Sequence, residues 1–292
     1  MSHAVPPVQT ISEAWLKCIE AVVGGHTSGR MVHVVSTITE PGSEINGIRA
    51  TLDTFLAKEG LPEIDTVAET IFPRSLISEP ARRWSPSLSP IEEAPILERE
   101  RELFAAYSDM LEMLLSADGN HSGTYFSRMI TWPGKAVGGV NQIADRISSL
   151  RSQLRNGRST YNAMDIDLAA DALNESSTTV EQLRGLELYS VTDRRNRGFP
   201  CLTHIDLTLF ESRLHMAAVY RHQYLVSKAY GNLVGLSWLL QFIADQAGVD
   251  AGEIVIHATM ADGEFNVLGR QRVLTLVKSA REELDAQEQR TP

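Results

Sequence analysis

The stretch from Phe199 to Glu264 constrains this chain more than any other, because it strings two short strand-like runs, a cationic turn and one long apolar segment together with almost no linker. Leu202, Ile205, Leu207 and Leu209 continue a strand-like run after Cys201, and a second apolar run, Leu214 to Val219, leads into Tyr220-Arg221-His222. The residues Leu233, Val234, Leu236, Trp238, Leu239, Leu240, Phe242 and Ile243 are too apolar and too long for one strand, which predicts a buried helix. That helix is expected to end near Gly248, and Gly252 to His257 reads as a further strand. Strand, strand, helix, strand in such close order predicts a fold that mixes sheet and helix, α/β or α+β.

The rest of the chain fits one large domain. Ile11 to Val23 is amphipathic at helical spacing, Met31 to Ile38 is rich in β-branched residues, and Ile45 to Ala57 again has helical spacing. Residues 75–95 are rich in Pro, Ser and Arg and read as a loop or insertion. Helical spacing returns from Ile96 to Leu115, Asn141 to Leu154 is a second amphipathic segment, and Val267 to Leu284 a third, followed by a tail over 285–292. The 292 residues suffice for one sizeable core, and 43% hydrophobic with 22% charged residues is ordinary for a globular protein, so a single domain over 1–292 is expected.

Composition also excludes classes of function. A net charge of -10 argues against general affinity for nucleic acid, which needs a concentrated basic surface. The densest basic cluster, Arg194, Arg195 and Arg197, reads as solvated loop arginines. No apolar run approaches the roughly 20 residues that span a bilayer, and the N-terminus lacks a charged region followed by an apolar signal core. No membrane partner is therefore expected, and the location predicted is the cytoplasm. Two cysteines give neither a disulfide framework nor a zinc pattern, and Cys18, at helical spacing with Ile11, Trp15 and Val22, reads as a small core residue. The histidines His204, His215 and His257 stand in strand-like segments at spacings that build no metal site.

Four residues could carry chemistry. Cys201, after Pro200, is a candidate nucleophile, and Arg221 is a fixed cation that favours its thiolate. Asn232, at the entry to the apolar helix, is an amide that both donates and accepts, or alternatively a helix cap. Glu69 is a carboxylate inside the otherwise apolar Thr66 to Pro73, where burial would raise its pKa toward the range of proton transfer; a helix-end or capping role is the plainer alternative.

The spacing of twenty residues from Cys201 to Arg221 and eleven from there to Asn232 resembles thymidylate synthases and the pyrimidine hydroxymethylases. In those enzymes a Pro-Cys nucleophile, a Tyr-Gln-Arg-Ser type segment and an Asn opening a long apolar helix follow one another in the same register. Gly252-Glu253 is similar to the Gly-Asp that opens their next strand, and Gly123 to Arg128 to their Tyr-Gly-x-x-Trp-Arg strand. The resemblance implies a mixed, bent β-sheet flanked by helices, an α+β fold, with two copies packed sheet against sheet as a homodimer. It implies that Cys201 attacks C6 of a pyrimidine, that Asn232 reads the N3-H and O4 edge, and that Glu69 orders water and moves protons around the ring carbonyl. It further implies substrate-binding roles for Arg30, which in the family lies on a loop closing over the phosphate, and for Tyr125, His222, Tyr224 and Asp262. The implied carbon donor is 5,10-methylenetetrahydrofolate, and the implied partner a pyrimidine nucleotide or nucleoside.

The chain also departs from the family. The paired arginines that reach across the family's dimer to a substrate phosphate fall near Thr160 and Tyr161, with Arg155 and Arg158 as neighbouring candidates. His222 and Tyr224 replace a Ser and an Asp, while Asp262 and Glu264 replace the His-x-Tyr pair that holds the ribose. After Gly263 the family's further strands and its folate-closing apolar C-terminus have no counterpart. Three functions follow from these residues: a one-carbon transferase acting on C5 of a pyrimidine, a ligand-binding or regulatory protein of the same fold, and a cysteine hydrolase, the last without a histidine that stands out as its base.

Overall fold

The computed structural model describes residues 3–25, 27–77, 83–116, 123–132, 139–156, 186–188 and 200–290. Its fold is α+β: a mixed, non-closed sheet flanked by helices. The strands are β1 (His3–Ala4), β2 (Arg30–Ile38), β3 (Leu186–Glu187), β4 (Leu202–Phe210), β5 (Arg213–Tyr220), β6 (Gln223–Tyr224) and β7 (Asp250–Asp262), in the order β1-β2-β7-β5-β4-β3, with β6 also pairing β7. The pairs β2/β7, β4/β5 and β3/β4 are antiparallel, whereas β5 and β6 run parallel to β7.

The helices are α1 (Ile11–Gly25), α2 (Asn46–Glu59), α3 (Ile64–Glu69), α4 (Pro90–Ser116), α5 (Tyr125–Ile130), α6 (Gln142–Arg155), α7 (Ala229–Ala247), α8 (Phe265–Leu268) and α9 (Arg270–Arg290). Their ends follow local chemistry. Thr10 and Glu13 form a reciprocal capping box before α1, Thr10 N donating to Glu13 Oε2 at 2.9 Å and Glu13 N to Thr10 Oγ1 at 3.2 Å. Asn141 caps α6 by accepting from Ala144 N, and Gly248 closes α7 at φ 78°, a left-handed conformation that glycine adopts without a Cβ clash.

Three expectations about elements change. The segment Gly123 to Arg128, expected as a strand, enters a short helix: Thr124 accepts from Ser127 N, Phe126 N donates to Thr70 O at 3.0 Å, and Phe126 to Ile130 are all buried. The stretch 75–95 holds more than loop, since a 3-10 turn spans Arg74–Leu76 and α4 already begins at Pro90. The last helix is interrupted at Gly269 and then runs on to Arg290, well into the expected tail.

Alternation sets the two faces of the sheet. Gly252, Ile254, Ile256 and Ala258 of β7 and Leu214, Met216, Ala218 and Tyr220 of β5 are buried, while Val255, His257, Ala217 and Val219 between them are half-buried. The buried side meets α7, whose residues Leu233 to Ile243 are almost wholly enclosed. Transfer of such side chains from water contributes about 1.5–3 kcal/mol each.

Two glycines bring α3 tight against α7. A Cβ on Gly231 would stand 2.6 Å from Ile64 O, and one on Gly235 would stand 2.6 Å from Ala68 O and 2.9 Å from the Ile71 Cβ. Backbone cannot yield as a flexible side chain does. Gly235→Ala is therefore expected to destabilise the protein: overpacking costs roughly 1–3 kcal/mol, against about 1 kcal/mol gained from helix propensity. A lowered thermal midpoint checks this, and a raised one would mean that the two helices are free to separate.

Candidate active site

The twenty-residue spacing between Cys201 and Arg221 is a hairpin. Strands β4 and β5 meet at Glu211 and Ser212, both in the left-handed region at φ 49° and 63°, the conformation a two-residue hairpin turn of matching twist requires. Along most of the hairpin, pairs such as Leu209↔Leu214 and His204↔Val219 keep one register, but a bulge between Leu202 and His204 shifts it so that Leu202 faces Tyr220. The bulge puts Cys201 opposite Arg221. Arg221 N donates to Cys201 O at 2.9 Å, and Arg221 Nε to Pro200 O at 3.0 Å.

The half-buried Cys201 thiol is pushed up by burial, while the charges of Arg221 and then Lys228 pull it down. Lys228 immediately precedes α7. Although that residue is exposed overall, desolvation is the largest influence on its ammonium and lowers it, with Glu264 and Cys201 opposing. Tyr125, from α5, completes the wall on the other side: its hydroxyl lies 3.5 Å from Leu202 N and is pushed up to about 12 by burial and by the neighbouring Cys201. Tyr220 lies beside both, with a buried hydroxyl that has no hydrogen-bond partner among the described residues.

Asn232 is not a cap. Lys228 holds that position, and Asn232 is the fourth residue of α7, its N–H donating to Lys228 O at 2.9 Å. The residue is only 4% exposed, and its side-chain amide makes no hydrogen bond within the described residues. An amide not committed within the chain can both donate to and accept from a ligand. It sits one turn along the helix from Lys228.

Glu69 closes α3. Ser75 donates to it twice, from N at 3.0 Å and Oγ at 2.8 Å, so the carboxylate holds the turn that follows the helix. This is the helix-end role the sequence left open. The next residue, Thr70, accepts from Phe126 N and so ties the end of α3 to the α5 turn that carries Tyr125.

The remaining expected residues form a second group where β2, β6 and β7 end. Arg30, expected on a loop, is the first residue of β2 and faces Asp262 across the strands, donating from Nε to Oδ2 at 2.7 Å; its side chain is 48% exposed. His222 Nε2 lies 3.5 Å from the same oxygen, and the His222 and Tyr224 rings stand 4.5 Å apart. The other oxygen of Asp262 accepts from Glu264 N at 2.8 Å. Glu264 itself is 8% exposed and accepts from Val226 N and Ser227 N, each at 2.8 Å, and from Ser227 Oγ at 2.6 Å. Both carboxylates, Asp262 and Glu264, are thus engaged within the chain.

Sequence reasoning missed Lys228 and the hinge-holding role of Glu264. A lysine four residues before Asn232, on the same helical face, was the available signal for the first. Nothing local signals the second, which joins residues 37 and 38 apart. Arg155 is committed elsewhere, donating to Glu93 at 2.6 Å and lying 5.2 Å over the Trp84 ring. Arg158, Thr160, Tyr161 and the cluster Arg194, Arg195 and Arg197 lie outside the described residues. Cys18 packs against the core with its thiol pushed up to about 12 by burial. No group of three or more metal-ligating side chains occurs among the described residues, and no described helix is long and apolar enough to cross a membrane.

No protein-family model matches the chain. Over 69 residues it is 32% identical to a protein of Methanothermobacter marburgensis named "Putative thymidylate synthase", a stretch that is 24% of this chain and 31% of that protein. A protein of Methanothermobacter thermautotrophicus with the same name is matched to the same extent. The chain thus matches about a third of the length of these curated relatives, a partial likeness to thymidylate synthases.

Proposed function

We propose that the protein transfers a one-carbon unit, methyl or hydroxymethyl, to C5 of a pyrimidine nucleotide or nucleoside through a Cys201 adduct at C6. The observation that carries this reading is Cys201 held opposite Arg221 by the hairpin register and by the bond from Arg221 N to Cys201 O. As the sulfur–C6 bond forms, the C5=C6 electron pair moves toward O4, and an amide on the N3-H and O4 edge stabilises that enolate. C5 becomes a carbon nucleophile. An asparagine rather than an aspartate there suits uracil over cytosine.

We further propose methylenetetrahydrofolate as the carbon donor, on the likeness alone. A cavity of about 570 Å³ lies between α2 and α9, lined by Phe55, Lys58, Arg272 and Leu276 among others, and holds no residue of the Cys201 cluster. The proposed assembly is a homodimer on the half-buried face of the sheet, where Val35, His257 and Val219 stand in register across β2, β7 and β5, with Thr37, Val255 and Ala217 in the next row. The proposed location is the cytoplasm. A second reading, a binding protein without chemistry, is favoured by the burial that keeps the Cys201 thiol protonated.

The test is tritium release from pyrimidines labelled at C5, across dUMP, UMP, dCMP, CMP and uridine, with and without methylenetetrahydrofolate. Attack at C6 lets C5 take a solvent proton and lose the label as the thiol leaves. Release is expected from a uracil substrate. No release from any of them, with the protein folded, would favour the binding protein.

A further inference from the structure

On the sheet face turned away from α7, two imidazoles from opposite ends of the chain meet nitrogen to nitrogen. His257 lies in β7 between the buried Ile256 and Ala258, so its side chain stands on the other face, flanked by Val35 of β2 and Val219 of β5. His33, in β2, reaches the same place. Its Nδ1 is 3.1 Å from His257 Nε2, the ring centroids are 5.3 Å apart and the ring planes are inclined by 30°. That contact is the one side-chain hydrogen bond either ring makes among the described residues. His33 also holds φ 53°, the only positive φ of a non-glycine residue inside a described strand. Such a conformation is strained for a residue with a Cβ and persists where the surroundings over-determine it.

We propose that His33 and His257 chelate a divalent transition-metal ion of the zinc type, His33 through Nδ1 and His257 through Nε2. The separation of the two nitrogens carries the inference. Imidazole nitrogens bound to zinc at ~2.0–2.1 Å stand ~3.3 Å apart at a tetrahedral angle and ~2.9 Å apart at a right angle, and 3.1 Å falls between the two. In the neutral pair the facing nitrogens share one proton, and its transfer to the outer nitrogen of the same ring leaves two facing lone pairs. A modest turn of each exposed ring about its last side-chain torsion, which is broad for histidine, aims both at one ion. Neutral imidazole suits zinc, nickel and copper, and two such ligands leave the remaining positions to water. The spacing of histidines along the chain signals no such site because the partner of His257 is 224 positions away, brought alongside by the pairing of β2 with β7. Chelation uses one chain, so it depends neither on Cys201 as nucleophile nor on the proposed homodimer.

The experiment is isothermal titration calorimetry of the chelator-treated full chain with Zn2+ alone, with thermal unfolding in the presence and absence of the ion, in wild type, His33→Asn, His257→Ala, the double variant and His204→Ala. Asparagine tolerates the left-handed backbone at position 33, so that variant removes the ligand without adding strain. Wild type is expected to bind one Zn2+ per chain at this pair and to gain thermal midpoint by mass action. Each single variant should lose roughly tenfold or more in affinity, because the second imidazole binds as an intramolecular ligand, and the double variant should be little worse than either single. His204, on the same sheet face but engaged with Glu187, serves as the control, and His204→Ala should match wild type. No Zn2+ uptake by wild type, or an isotherm unchanged in His33→Asn or in His257→Ala, would overturn the proposal and leave the contact as a hydrogen bond only. An equal loss in His204→Ala would overturn it too, since the affinity would then not belong to this pair.

Discussion

Cys201→Ala is expected to reduce C5 tritium release by about a thousandfold or more while leaving the protein folded, since a reaction routed through a covalent adduct has no comparable path without its nucleophile. A thousandfold corresponds to about 4 kcal/mol of barrier. The fold should tolerate the change because Cys201 packs only at the margin of the core and Arg221 donates to the backbone carbonyls of Cys201 and Pro200, which the substitution leaves in place. The wild-type rate should also depend on pH. Burial raises the thiol, Arg221 and Lys228 oppose it, and the balance remains a raised value, so the reactive thiolate grows as pH rises from neutral into the alkaline range. Release should therefore climb with pH over that range, and a rate that is undiminished in Cys201→Ala would sink the adduct mechanism.

Glu264→Ala is expected to be the most destabilising single change in the site, by roughly 3–4 kcal/mol. One carboxylate accepts from two backbone amides and a hydroxyl in a nearly closed environment, and hydrogen bonds to a charged acceptor are stronger than neutral ones. Truncation strands Val226 N and Ser227 N, which are buried donors. Because Glu264 sits at φ 58°, a left-handed conformation unfavourable to any residue with a Cβ, its contacts also hold the backbone turn that ends β7. Urea unfolding should show a lower midpoint with an unchanged slope. Glu264→Gln, which keeps one acceptor and roughly the shape, should fall between. A midpoint unmoved in Glu264→Ala would mean that water replaces all three bonds and that the hinge is not held from here.

Much of the architecture was legible before any coordinates. Helices over Ile11 to Val23, Ile45 to Ala57 and Asn141 to Leu154 lie within one or two residues of α1, α2 and α6, and the run Leu233 to Ile243 is the body of α7. Strands at Met31 to Ile38 and Leu214 to Val219 are β2 and β5. In each case a single periodicity extends over six or more residues, and periodicity is a property that a sequence carries by itself. The short elements were less legible. Gly123 to Arg128 offers six residues in which strand and helix patterns overlap, and what selects the helix is a bond from Phe126 to Thr70, more than fifty positions away.

The same division runs through the candidate site. The sequence by itself determined that Cys201, Arg221 and Asn232 stand at hairpin and helix spacings, because the distance between two residues across a tight hairpin is fixed by counting along the strands. Only the tertiary structure decided the register that makes the first two face one another, through the bulge between Leu202 and His204. Only it placed Asn232 inside the first turn of α7 with its amide unpartnered, seated Glu69 on Ser75, paired Arg30 with Asp262, and brought Lys228 into the field of Cys201. Those contacts join strands and turns far apart along the chain, and the charge and hydrogen-bonding capacity of a side chain are settled by the neighbours that exclude water from it. Spacing says which residues share a face, and packing says which of them remain available to a ligand.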